Sequence, residues 1–284
     1  MTHDGRPLAV LGAGTMGRGI AYAALTAGYR TRLYDVSEAP LRKAVEVVGG
    51  IFASRVELGK DTADNAHVLL GLLSTTTSVA DAVRGAGVVI EAAPEKMDLK
   101  LALLAAVQAA ASADAVVASN TSALSITEMA AVLDRPGRMG GMHFFNPVHK
   151  MKLVEVVRAL QTTDETVQVM IGVAVAMGKE TVLIRESPGF ITSRINAMIG
   201  NEAFYMLQEG VASARDIDKA LKLGLNHPMG PFELVDLVGL DTRLSILQHL
   251  HRTLGEKFRP CPLLEQHVEA GRLGRKAGKG VYEY

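Results

Sequence analysis

Leu8 to Leu11 is an uninterrupted apolar run, followed by Gly12, Gly14 and Gly17 and then by Ile20-Ala-Tyr-Ala-Ala-Leu25. A run with no polar alternation suits a strand covered on both faces, as in a parallel sheet. The apolar stretch after the glycines predicts a helix that stops near Gly28, and Thr31 to Tyr34 reads as the next strand. Beyond it, Leu41, Ala44, Val45, Val48, Phe52 and Val56 recur at helical spacing, with an interruption expected at Gly49-Gly50. A helix near Ala63 to Leu73 is expected to return as the second arm of a hairpin.

The alternation continues. Ser74 to Ser78 reads as a strand, Ala80 to Gly85 as a short helix, and Val88 to Glu95 as a buried strand ending in acids and a proline. Met97 to Ala111 has leucines and alanines at helical spacing, and Ala115 to Ala118 is the strand after it, leading into Ser119-Asn-Thr-Ser122. Ser125 and Glu128 have the spacing of a capping box before a helix to Leu133. Met139 to Pro147 is a strand and turn, Leu153 to Val157 a strand with Glu155 at its centre, Thr163 to Met177 a helix, and Thr181 to Ile184 a last strand. Such alternation of strand and helix predicts an α/β doubly wound, Rossmann-like sheet.

From Ile191 onward the pattern is helical. Ile195, Met198, Ile199, Ala203 and Met206 share one face, and Ala214 to Leu223, Phe232 to Val238 and Asp241 to Leu254 give further helices. Two domains are expected: residues 1–186, α/β, and residues 187–284, all-α. The apolar content of the second is high for its size, which suits a subunit interface as well as a core.

Composition narrows the classes. The 284 residues carry 30 basic and 30 acidic side chains, so no excess positive charge recommends a nucleic-acid partner. Cys261 is the single cysteine and can form no internal disulfide, which suits a reducing compartment. Met-Thr-His-Asp-Gly-Arg leads straight into the first strand, and no apolar span is long enough for a membrane. A cytoplasmic protein is therefore expected. The eight histidines suggest no metal site, and His249 and His251, two apart on a helix, read as surface residues.

The chemistry starts at the glycines. Gly12, Gly14 and Gly17 form G-x-G-x-x-G between a strand and a helix, and Asp35 ends the next strand about 20 residues on. In this context Gly12 permits the turn, Gly14 admits a pyrophosphate and Gly17 allows close helix–strand packing. Asp35 would accept hydrogen bonds from ribose hydroxyls and repel a 2′-phosphate, favouring NAD over NADP. Arg30 and Arg32 are the counter-indication. Hydride transfer then requires a base. His143, at a strand end beside Asn146-Pro147, is the leading candidate. Glu155, a carboxylate in an apolar strand, needs a partner, and pairing it with His143 resolves both anomalies. The alternative is a structural histidine and an edge-strand glutamate. Asn120 and Ser122 lie on the loop after a parallel strand, where Ser122 either meets a substrate oxygen or caps a helix.

Taken together, Gly-Ala-Gly-Thr-Met-Gly, Ile-Glu-Ala-Ala-Pro-Glu, Ser-Asn-Thr-Ser, His-Phe-Phe-Asn-Pro with Met-Lys-Leu-Val-Glu-Val, Ser-Pro-Gly-Phe, Asn-His-Pro-Met-Gly-Pro-Phe-Glu-Leu and Gly-Arg-Lys-Ala-Gly-Lys-Gly-Val-Tyr occur in that order. The chain resembles the short L-3-hydroxyacyl-CoA dehydrogenases, including the bacterial 3-hydroxybutyryl-CoA dehydrogenases, over nearly its whole length. The resemblance implies NAD-dependent, reversible oxidation of an (S)-3-hydroxyacyl-CoA in fatty-acid or short-chain acyl-CoA metabolism. It also implies a homodimer formed through the helical domain. It assigns His143 as base, Glu155 as its partner and Ser122 as a contact of substrate and cofactor. It places Thr15 and Met16 at the pyrophosphate with the three glycines, adds Glu95, Lys100, Asn120 and Lys276 as cofactor contacts, and Asn146 as a substrate contact. Unaided, Lys100 and Lys276 read as solvated surface lysines. Many members carry Asn where this chain has Ser193, a shorter side chain facing the substrate. The alternatives are a dehydrogenase of a small hydroxy or sugar acid on the same fold, and a non-catalytic NAD-binding protein.

Overall fold

The computed structural model describes residues 5–284, so the first four residues of the opening segment discussed above lie outside the described residues. The chain divides into two compact units, one ending at Glu186 and the other running from Ser187 to Tyr284.

The first unit alternates strand and helix: β1 (Leu8–Leu11), α1 (Thr15–Thr26), β2 (Thr31–Tyr34), α2 (Glu38–Glu57), α3 (Ala63–Leu70), β3 (Leu73–Thr76), α4 (Val79–Val83) and β4 (Val88–Glu91). Then come α5 (Met97–Ala110), β5 (Val116–Ser119), α6 (Ile126–Ala131), β6 (Met139–Phe144), β7 (Leu153–Arg158), α7 (Asp164–Ala176) and β8 (Glu180–Arg185). The strands form one sheet in the order β3-β2-β1-β4-β5-β6-β7-β8. The order 3-2-1-4-5-6 is the doubly wound, Rossmann-like arrangement, and every pair within it is parallel. β7 joins antiparallel to β6, and β8 extends it in parallel. The central strands β1, β4 and β5 are buried along their whole length, as their apolar runs, closed in β4 by Glu91 and in β5 by Ser119, require. Ile20 and Ala24 of α1, Leu41 and Ala44 of α2 and Met170 and Ala174 of α7 belong to the core cluster that includes Val10, Ile90 and Ala118 of these strands.

Gly49-Gly50 does not break α2, which runs unbroken from Glu38 to Glu57. Leu41, Ala44, Val48 and Phe52 are its buried residues, whereas Gly50 is exposed. Burial of the apolar stripe offsets the roughly 1 kcal/mol that each glycine costs. Ser125 does cap its helix, accepting from the Glu128 N–H at 3.1 Å.

The second unit contains α8 (Thr192–Gln208), α9 (Ala214–Gly224), α10 (Pro231–Val238), α11 (Leu240–Leu254) and α12 (Pro262–Glu269). Phe204, Phe232, Leu247, Leu250 and Leu264 are fully buried in its core. α12 escapes the periodicity reading because it is two turns long and opens on two prolines, Pro260 and Pro262. The pair expected at the surface, His249 and His251, is half-buried, and His251 Nε2 lies 3.0 Å from Glu256 Oε1. Among the described residues, no helix is long and apolar enough to cross a membrane.

Candidate active site

Antiparallel pairing sets His143 of β6 directly opposite Glu155 of β7. Side chains facing each other across such a pair are within reach, and here His143 Nδ1 lies 2.7 Å from Glu155 Oε2. Both are buried, the histidine to 7% exposure and the glutamate to 1%. A carboxylate can only accept, so Nδ1 carries the hydrogen and the lone pair resides on Nε2. The Phe145 ring stands 4.5 Å from the imidazole, centroid to centroid. Asn146 and Pro147 follow at the exposed turn, joined by a cis peptide bond.

The neighbouring strand end carries the second group of candidates. Asn120 Oδ1 accepts from the Phe144 N–H at 2.9 Å, tying the loop after β5 to the end of β6 beside His143. Glu95 Oε1 accepts from Thr121 Oγ1 at 2.5 Å, from the Ser122 N–H at 2.9 Å and from Ser122 Oγ at 3.4 Å. Glu95 thus holds the loop that presents Ser122. Beneath it Lys100 is 1% exposed, contrary to its reading as a surface lysine. Its Nζ donates to both Glu91 oxygens, at 2.7 and 2.9 Å, and to the Ala93 carbonyl at 3.2 Å, with Glu95 Oε2 at 3.5 Å. Ser119 Oγ completes the cluster, donating to Glu91 Oε2 at 2.5 Å. A lysine on an alanine- and leucine-rich helix reaches this place because α5 packs its first turns over the end of β4.

At β1 the turn is built as the glycines require. Gly12 has φ +109°, and a Cβ there would stand 2.6 Å from the Ala92 carbonyl oxygen. A Cβ on Gly17 would lie 1.7 Å from the Gly12 carbonyl oxygen. Gly14 meets nothing within 4 Å and is the N-cap of α1, with no side chain capping the first turn. Thr15 and Met16 begin that helix, so their N–H groups belong to its positive end. Asp35 Oδ2 accepts from the Ala13 N–H at 2.9 Å.

In the second unit, Ser193 occupies the first turn of α8. Lys276 is exposed and holds Asp241 with both carboxylate oxygens, at 2.6 and 2.7 Å. Burial works against that carboxylate, but the Lys276 hydrogen bond keeps its pKa below the usual value.

Residues 7–187 match the 3-hydroxyacyl-CoA dehydrogenase NAD binding domain, and residues 189–284 the C-terminal domain of the same family. The chain belongs to the 3-hydroxyacyl-CoA dehydrogenase family. It is 44% identical to a probable 3-hydroxybutyryl-CoA dehydrogenase of Bacillus subtilis, covering 98% of this chain and 97% of that one. It is 42% identical to the 3-hydroxybutyryl-CoA dehydrogenase of Bradyrhizobium diazoefficiens, over 98% and 95%. The crystal structure of an (S)-3-hydroxybutyryl-CoA dehydrogenase from Ralstonia eutropha superposes with a TM-score of 0.96 at 41% identity, over 98% and 99%.

The dehydrogenase's cofactor is NAD, and the residues at the turn fit it. The helix start at Gly14 has no side-chain cap to satisfy its N–H groups, which suits a pyrophosphate. Asp35 keeps one carboxylate oxygen beyond the one used by Ala13. The arginines that weighed against NAD are turned to other work. Arg32 donates to the carbonyls of Asp81 and Arg84, at 3.0 and 2.5 Å, and Arg30 to that of Gly5 at 2.5 Å. Glu91, Ser119 and Thr121, which secure the Ser122 loop of this dehydrogenase, were not singled out from sequence. The signal was there in Glu91, a carboxylate closing an apolar strand.

Proposed function

We propose that the enzyme catalyses the reversible oxidation of (S)-3-hydroxyacyl-CoA, such as 3-hydroxybutyryl-CoA, to 3-oxoacyl-CoA, with His143 as general base. The observation that supports this reading is the buried His143–Glu155 contact of 2.7 Å at the strand end. His143 Nε2 accepts the proton of the 3-hydroxyl. Bound NAD would supply the acceptor for the hydride of C3. Glu155 fixes the tautomer and stabilises the imidazolium, so charge appears beside a carboxylate already in place. In reduction the imidazolium returns the proton. Ser122, held through Glu95, donates to the substrate oxygen, with Asn146 and Ser193 as further substrate contacts. Gly12, Gly14, Thr15, Met16, Gly17 and Asp35 hold the pyrophosphate and ribose, and Glu95, Lys100, Asn120 and Lys276 complete the NAD site. Lys100 acts there through Glu91 and Glu95, which its ammonium bridges. The helical unit forms a homodimer, a reading supported by the exposure of Ile195, Leu223 and Leu225. The enzyme works in the cytoplasm, in fatty-acid or short-chain acyl-CoA metabolism.

The test is NADH oxidation with acetoacetyl-CoA against free 3-oxo acids and oxo sugar acids. The expected result is a kcat/KM orders of magnitude higher for the thioester. Equal or better turnover of a free acid would contradict the substrate assignment, and NADH binding without turnover of any of them would contradict the enzyme.

A further inference from the structure

Ser122 stands in the stretch 120–125, between β5 and α6, which belongs to neither a strand nor a helix. A hydroxyl on such a stretch is only as well placed as the points that hold the chain on either side. On the β5 side, Ser119 is tied to Glu91 and Asn120 to Phe144. Thr121 Oγ1 accepts from the Leu124 N–H at 2.9 Å and closes the stretch on itself. On the other side the chain enters α6, which has six residues. So short a helix does not fix its own start, because the cost of the first turn outweighs the few bonds that follow. A group outside the helix has to do so.

Glu186 is that group. Its backbone N–H donates to the Arg158 carbonyl at 2.8 Å, carrying the β7–β8 pairing one residue past β8. The residue is thereby anchored to the sheet, and its carboxylate reaches 60 positions back along the chain. Oε1 accepts from the Ile126 N–H at 2.7 Å, and Oε2 from the Thr127 N–H at 2.9 Å. Oε2 also accepts from Thr127 Oγ1, which itself accepts from the Leu160 N–H at 3.1 Å. Ser125 accepts from the Glu128 N–H, so side chains meet the first three N–H groups of α6. A carboxylate at the positive end of a helix strengthens the hold. Glu95, the other carboxylate on the Ser122 stretch, has a side chain 40% exposed and no comparable post in the sheet ladder.

We propose that Glu186 is a positioning residue for the dehydrogenase reaction. It fixes the start of α6, four positions after Ser122, and so the place from which Ser122 Oγ meets the substrate oxygen. The proposal rests on the reading of Ser122 as a substrate donor. Glu186 touches no reacting atom and acts through the loop. A donor misplaced by about 1 Å can cost up to about 10²-fold in rate.

The experiment is a double-variant cycle, Glu186→Ala with Ser122→Ala, on the full-length enzyme. It follows kcat and KM for acetoacetyl-CoA, NADH affinity and amide hydrogen exchange. Glu186→Ala is expected to lower kcat about tenfold or more, with KM and NADH affinity within about twofold. Ser122→Ala should lower kcat further than that. Adding Glu186→Ala to Ser122→Ala should cost less than about threefold more, because no hydroxyl is left to misplace. Exchange at Ser122, Ala123, Ile126 and Thr127 should quicken in Glu186→Ala, while Val117 and Ala118 of β5 stay protected. A wild-type kcat in Glu186→Ala, or an equal loss in both backgrounds, would overturn the proposal and leave Glu186 a structural cap. If Glu186→Ala does not fold, Thr127→Val deletes one of the three donors and keeps the carboxylate. It should give a smaller loss with the same dependence on Ser122, and a loss independent of Ser122 would overturn the proposal. Wild-type turnover in Ser122→Ala would contradict the reading of Ser122 itself, and the proposal with it. A wild type that turns over no acetoacetyl-CoA contradicts the acyl-CoA reading. Exchange then still tests the hold on the loop, and unchanged rates at Ile126 and Thr127 would overturn it.

Discussion

In the α/β unit the buried carboxylates of Glu91 and Glu155 face nitrogen side chains, Lys100 and His143, at 2.7 Å. In the helical unit, the buried Asp218 and Asp236 face backbone N–H groups and tyrosine hydroxyls. Asp218 accepts from the Phe232 and Glu233 N–H groups and from Tyr282 Oη, at 2.8, 3.1 and 2.7 Å. Asp236 accepts from the Val281 and Tyr282 N–H groups and from Tyr284 Oη, at 2.8, 2.9 and 3.0 Å. Gly274 and Gly280 let the tail approach, since a Cβ on either would lie within 2.3 Å of Asp236. A carboxylate satisfied by neutral donors fastens chain segments together. One set against an ionisable nitrogen can also stabilise a change in that nitrogen's charge, which is what proton transfer needs. The kind of partner, more than burial, separates a site from a clasp.

The contrast can be strained at several points. Lys100→Met leaves Glu91, 0% exposed, without its cation. We expect a loss of about 3–5 kcal/mol in urea unfolding, much of it recovered when Glu91→Gln is added. A loss below about 1 kcal/mol would mean that Ser119 and the Ala93 N–H satisfy Glu91 without help. Asp236→Ala removes the acceptor of the tail but strands no charge. A smaller loss, about 1–3 kcal/mol, is expected, with proteolysis of the last residues accelerated. Arg243 gives the limiting case. It is 2% exposed on α11, its Nε has no hydrogen-bond partner, and burial brings its pKa down to about 10. Replacement by Met should leave stability unchanged or raise it by up to about 4 kcal/mol. A clear loss would contradict that expectation.

Much of this frame was legible beforehand. The apolar run Leu8–Leu11 coincides with β1, which is buried along its length, and the stretch Thr31–Tyr34 coincides with β2. Glu155 was visible as a carboxylate where an apolar side chain belongs, and the histidine 12 positions earlier lies opposite it in the strand register. Lys100 was opaque. Its nine-residue separation from Glu91 crosses a strand end, a turn and a helix start, so no periodicity links them. The same holds for Asp236 and the tail, 45 positions apart. Local patterns record which face is buried; what meets there depends on how elements stack.

The claim that His143 and Glu155 act as one proton-accepting unit is tested most directly by a double-variant cycle on kcat with acetoacetyl-CoA and NADH. His143→Gln is expected to lower kcat by about 10²–10⁴, Glu155→Gln nearly as much, and the double variant no further than His143→Gln alone, with NADH affinity preserved. Losses that multiply, or a His143→Gln enzyme with near-normal turnover, would contradict it.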